Sequence, residues 1–168
     1  TMHRRQNKIV MLSKNTTLID SLSVAENLFV IRNGYKKFLV SSRMLNAQTN
    51  NVLAPLGLSI DPRISVIKLS PCEKMILELA KAWVSGVKLV VLGNIGTFLT
   101  TAEVERIIAV ARILAARGMG FLYVCNHHQE AFHFCDRCFL MKQGKIVKCL
   151  EKDQMSDSVI DHYSYAFN

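Results

Sequence analysis

A chain of 168 residues, half of them apolar, is long enough for one domain with a sizeable core. It carries 21 lysines and arginines against 13 aspartates and glutamates, but the cations are scattered from Arg4 to Lys152 rather than gathered on one helix face. That spread argues against direct nucleic-acid binding and suits work beside an anionic membrane leaflet; no apolar run approaches eighteen residues, so no membrane span is expected. Five cysteines without a regular framework point to a reducing compartment, and Thr1 before Met2 reads as the start of an excised fragment or as an expression scar.

In chain order, Ile9 to Leu12 is a short apolar strand and Ser13 to Thr17 a polar loop. Ser23 with Glu26 forms a capping box that starts a helix running to about Arg32. Phe38 to Leu56 reads as a helix with Leu39, Leu45, Val52 and Leu56 on its apolar side, ended by Gly57. After a loop containing Asp61-Pro62, Ser70 at the N-cap, Pro71 at the first helical position and Glu73 three residues beyond the cap mark a second helix start. Ile76, Leu79, Ala80 and Trp83 form its buried face, with Trp83 read as core rather than as a ligand platform. Val87 to Leu92 is a buried strand ending at Gly93-Asn94. A further capping box, Thr100 with Glu103, opens a helix whose apolar face is Val104, Ile107, Ile108, Ala111 and Leu114, closed by Gly118.

Gly120 to Cys125 reads as another buried strand, and Asn126 to Phe132 opens a short helix. Cys138 to Met141 and Lys145 to Leu150 flank Gln143-Gly144 as an antiparallel hairpin. A last helix runs from about Ser158 to Tyr165, with His162 and Tyr163 on its surface. Cys125, His127, His128, His133, Cys135 and Cys138 crowd into fourteen residues, and Cys135 and Cys138 have zinc-ligand spacing. Their places at strand ends and on a helix face favour small core residues over a metal site. Helix, buried strand, helix is the repeat of an open parallel α/β sheet.

The order of Leu69-Ser70-Pro71-Cys72-Glu73, the strand Leu89 to Leu92 with Gly93-Asn94, and the specific run Leu22-Ser23-Val24-Ala25-Glu26-Asn27-Leu28 resembles the ATP-binding cassette (ABC) ATPases of sugar importers. The resemblance covers Ile9 to about Tyr163. It implies a partial RecA-like (P-loop NTPase) parallel sheet with an inserted ABC-type helical subdomain, in a single truncated domain. Residues 22–85 would be the helical subdomain, 86–153 the core strands and helices, and 154–168 the terminal helix. The permease-docking surface would lie between Phe29 and Ile67.

Carried over position by position, the resemblance puts Lys14 at the Q-loop glutamine, Gly93 and Asn94 at the Walker B carboxylates and Asn126 at the H-loop histidine. Leu69 to Glu73 stand at the LSGGQ signature. Lys14 would repel the magnesium that glutamine coordinates, Gly93 has no side chain, Asn94 cannot accept a proton at neutral pH, and Asn126 cannot replace an imidazole. None of the eight glycines lies in a GxxxxGK[ST] loop. Pro71 removes a donor, Cys72 adds a Cβ, and Glu73 puts a carboxylate where a phosphate would sit.

These substitutions imply a degenerate cassette with no catalytic residues, no metal, and neither ATP nor magnesium bound. It would be cytoplasmic, reaching the inner face of the plasma membrane only through a permease. Its partners would be a permease, a second ATPase-like domain or a second copy of itself, and it would act as a docking, dimerisation or regulatory module. Two alternatives stand beside it: a sensor domain inside a larger signalling or transcription-regulating protein, and an active carbohydrate-importer subunit completed by upstream residues.

Overall fold

The computed structural model describes residues 9–29 and 41–165, and the chain divides after Leu122 into two compact units. In the first, β1 (Ile9–Leu12) leads through a loop to α1 (Val24–Phe29), whose start is the capping box read from sequence: Glu26 accepts from the Ser23 N–H and hydroxyl, and Ser23 Oγ accepts from the Glu26 N–H. The end expected near Arg32 lies outside the described residues, as does Leu39.

The helix expected over Phe38–Leu56 is shorter. Ser41 Oγ accepts from the Met44 N–H and starts α2 (Ser42–Leu53), and a 3-10 turn, Ala54–Leu56, follows. Pro55 explains the tightening, because it has no N–H to donate into the ladder. The buried residues of α2 are Thr49 and Leu53; the Thr49 hydroxyl satisfies itself by donating to Leu45 O at 2.8 Å.

α3 (Pro71–Val84) follows, and then β2 (Leu89–Gly93), two residues later than the expected Val87 start. Gly86 has φ +67 and donates to Trp83 O, while Val87 N–H reaches back to Ala82 O, so Val87 completes the helix ending instead of the strand. α4 (Thr101–Ala115) carries the expected Thr100–Glu103 box and buries Val104, Ile107, Val110, Ala111 and Leu114, with Ile108 half-exposed. Gly118, at φ +91, ends it as Gly86 ends α3, with Met119 N–H on Leu114 O.

β1 and β2 pair in parallel with Leu12 beside Leu92, and β3 (Gly120–Val124) lies on the other side of β2. Leu12, Val90 and Leu92 point into the core, and β1 rests against α3. The opposite face of β1 is open, with Ile9 60% and Met11 63% exposed. The expectation of a buried third strand is corrected in the same sense: β3 alternates between exposed and half-exposed residues, and Leu122 is 45% exposed. Its apolar side chains are those of a strand covered on both faces, but the described residues leave both of its faces accessible.

The second unit holds α5 (His128–Phe134), β4 (Arg137–Lys142), β5 (Lys145–Glu151) and α6 (Asp157–Tyr165). β4 and β5 form the expected hairpin, turning on Gln143 (φ 49) and Gly144 (φ 76), with an irregularity between Leu140 and Met141. Cys138 and Leu150 pair across it and are its buried residues.

Candidate functional site

α3 begins by closing on itself. Glu73 Oε2 accepts from the Ser70 N–H at 2.8 Å, and Ser70 Oγ accepts from the Glu73 N–H at 3.2 Å. Pro71 has no N–H, and that of Lys74 is taken by Ser70 O at 2.9 Å. Leu69 and Cys72 are buried, the Cys72 thiol facing Glu103 O at 4.0 Å, with burial holding its pKa above the ordinary value. The end of a helix dipole that attracts anions is therefore occupied by the chain's own carboxylate.

A second cluster forms where β1 and β2 end. Because the strands are parallel, both release their loops at the same edge of the sheet, which brings Ser13 beside Gly93. Ser13 Cβ would stand 3.9 Å from a Cβ on Gly93, and Met11 Cε only 2.8 Å from it, so the methionine fills the space of a side chain at 93. Asn94 takes the left-handed conformation (φ 49, ψ 41) that suits asparagine, and its carbonyl accepts from Thr97 N and Oγ1. Its Oδ1 is buried with no donor among the described residues. Lys14 is exposed.

Sequence reasoning missed the carboxylate that ties this loop down. Glu78, in the middle of α3 and 5% exposed, accepts from Thr16 Oγ1 at 2.8 Å and from both the N–H and the hydroxyl of Thr17. The available signal was a lone acid between Leu77 and Leu79 on a helix otherwise apolar at that turn. Asn27, buried in α1, exchanges hydrogen bonds with Ile19, its Oδ1 accepting from Ile19 N–H at 2.8 Å and its Nδ2 donating to Ile19 O at 3.0 Å.

In the second unit, Asn126 is exposed and His127 caps α5 without a side-chain bond. His128 Nε2 meets Asp157 Oδ1 at 2.9 Å, joining α5 to α6. Among the described residues no group of three or more His, Cys, Asp or Glu is placed to hold a metal ion. Cys135 is not on a helix face as expected: α5 stops at Phe134, and Cys135 caps it. Burial and the neighbouring Cys138 and Cys125 thiols push Cys135 up to about 11, and Cys138 Sγ lies 3.9 Å from Met155 Sδ. Trp83 is half-buried rather than core, with the Arg117 guanidinium 4.4 Å over its ring. His162 is exposed and Tyr163 half-buried, and both line an open groove with Lys148 and Leu150.

The fold is that of an ATP-binding cassette. MJ1267, an ATP-binding cassette of an ABC transporter, matches with a TM-score of 0.75 at 19% identity, over 92% of this chain and 66% of that one. cbiO1 of Clostridium perfringens, part of the transporter complex cbiONQ, matches at 0.73 and 16% identity, over 95% of this chain and 64% of the other.

Within that class, the chain is homologous to the ATP-binding proteins of sugar importers. Ribose import ATP-binding protein RbsA 3 of Rubrobacter xylanophilus is 30% identical over 93% of this chain and 32% of its own length. Galactose/methyl galactoside import ATP-binding protein MglA of Yersinia pestis is 28% identical over 90% of this chain and 30% of its own. The chain thus spans 32% and 30% of these curated relatives, about a third of each. No family model matches it.

Proposed function

We propose that this chain is a non-catalytic cassette of a sugar-import ATP-binding protein, a docking or dimerisation module that neither binds Mg-ATP tightly nor hydrolyses it. The observation that carries this is the Glu73 carboxylate folded onto the Ser70 N–H at 2.8 Å, which occupies the helix end that the family offers to a phosphate. Three further positions support it. Gly93 offers no magnesium ligand, Asn94 offers no general base, and the loop after β1 carries an exposed lysine, Lys14, where the family has its glutamine. In this reading residues 22–85 form the helical subdomain, 86–153 the core and 154–168 the terminal helix. The partner is a permease or a second cassette, and the protein works at the cytoplasmic face of the membrane. A dimeric arrangement is recorded for the cassette MJ0796 bound to ADP and Pi, and a second copy of this chain is a candidate partner on that precedent. Among the described residues no helix is long and apolar enough to cross a membrane.

Calorimetric titration of the chain with Mg-ATP tests the proposal: no saturable heat is expected below about 1 mM, and micromolar binding would overturn it. The relatives favour a second reading, because each is named an import ATP-binding protein. There the chain would be part of a working subunit that needs residues outside it. Hydrolysis by a longer protein containing this chain, abolished by replacing Asn94, would establish that alternative.

A further inference from the structure

Cations that are scattered along the sequence are drawn together at one end of the first unit, where α3 and α4 finish and hand over to β2 and β3. The two connecting turns lie side by side: Gly120 N–H donates to Lys88 O at 2.8 Å, and the Arg117 guanidinium stands 4.4 Å over the Trp83 ring. Lys88 and Arg117 are exposed, and Lys81 sits in the last turn of α3. Lys81 donates to the Thr17 hydroxyl at 3.3 Å, a neutral partner that leaves its charge in place. Ile113, 37% exposed, lies four residues before Arg117 and shares its helix face. No aspartate or glutamate occurs between Glu78 and Glu103 or between Glu105 and Glu130, so neither turn carries an acid to neutralise these charges.

Cations at a helix C-terminus offset its dipole, but two helix ends supply only about one negative charge between them, which leaves roughly two of the three in excess. Those ends present carbonyls rather than N–H groups, so they cannot grip a single phosphate. The attraction is diffuse, carried by long side chains, with the apolar bodies of Trp83 and Ile113 beside them. A field of anionic headgroups over an apolar interior matches that combination, because tryptophan settles at the headgroup level while lysine and arginine meet the negative surface. Nucleic acid fits less well: one face of Trp83 is taken by Arg117 instead of lying open to a base, and helix ends rather than a helix side meet the ligand. We propose that this end of the chain, Trp83 with Lys81, Lys88 and Arg117, rests directly on an anionic bilayer. The contact needs no permease and holds for an inert and a working cassette alike.

Binding of the whole chain to lipid vesicles tests it, with Trp83 as reporter because it is the chain's one tryptophan. Vesicles of phosphatidylcholine and phosphatidylserine, at about 2 to 1, are expected to bind at least tenfold more tightly than phosphatidylcholine alone, and to release the chain at about 0.5 M NaCl. Trp83 emission is expected to shift to the blue on binding and to be quenched by lipids with brominated chains. Lys88→Gln with Arg117→Gln is expected to weaken binding at least tenfold with helical circular dichroism unchanged. Lys145→Gln with Lys148→Gln, which removes the same charge from the β4–β5 hairpin, is expected to keep most of it. Should the Lys88 and Arg117 variant lose structure, the Trp83 reading in the unaltered chain decides alone. Equal binding to neutral and anionic vesicles, Trp83 emission unmoved while the chain binds, or an equal loss from the hairpin variant would overturn the proposal. So would tighter binding to an oligonucleotide at equal phosphate concentration, which would assign this end to nucleic acid.

Discussion

At the scale of single residues, the positions that matter are those where a side chain is absent or turned inward. The atom nearest a Cβ at 93 is the terminal methyl of Met11, a flexible and largely exposed side chain that can swing aside, so the cost of Gly93→Asp comes chiefly from placing a carboxylate at a buried position. A loss of about 1–3 kcal/mol in urea unfolding is expected, and Gly93→Ala, which adds a Cβ without a charge, should lose much less. The cysteines give a second residue-scale test. A raised pKa means that more of the thiol remains protonated at a given pH, so Cys135, at about 11, holds little reactive thiolate at pH 8. Iodoacetamide followed by peptide mass spectrometry should label exposed Cys149 first and Cys135 much later, with the gap narrowing as pH rises toward 11.

At the scale of elements, three helix starts use the same four-residue device, Ser23 with Glu26, Ser70 with Glu73 and Thr100 with Glu103. Each was legible in sequence because donor and acceptor lie within one turn. Removing the α3 box by Ser70→Ala should cost about 1 kcal/mol, measured as a fall in the denaturation midpoint with unchanged slope. The helix ends were legible too, although Gly86 displaced the start of β2 by drawing Val87 into the helix ending. With nothing within 4 Å of a Cβ at Gly86, the cost of Gly86→Ala is conformational alone. About 1 kcal/mol is expected for an L-residue held at φ +67, again read from urea unfolding. Thr49 escaped the sequence reading of α2 because its hydroxyl bonds within its own helix and lets a polar residue occupy a buried place.

At the scale of the whole molecule, apolar periodicity was a good guide to which residues form strands and a poor guide to which strand faces are covered. Ile9, Met11 and Leu122 are apolar and accessible in the described structure. An environment-sensitive apolar dye should therefore bind the chain, and Ile9→Thr with Met11→Thr should lower its fluorescence without loss of helical circular dichroism. The homologous proteins are about three times as long as this chain.

The amino-acid sequence alone determined the helix caps, the glycine endings, the hairpin turn and the succession of helix and strand, because each depends on groups a few residues apart. It also determined which side chains stand at the end of β2 and at the start of α3. Only the tertiary structure decided that Met11 covers Gly93, that β3 lies open, and that Glu78 grips Thr16 and Thr17 from 62 and 61 residues away. Those contacts arise when segments with no local preference for each other are brought together by burial of the apolar faces between them, and no pattern within one segment records them.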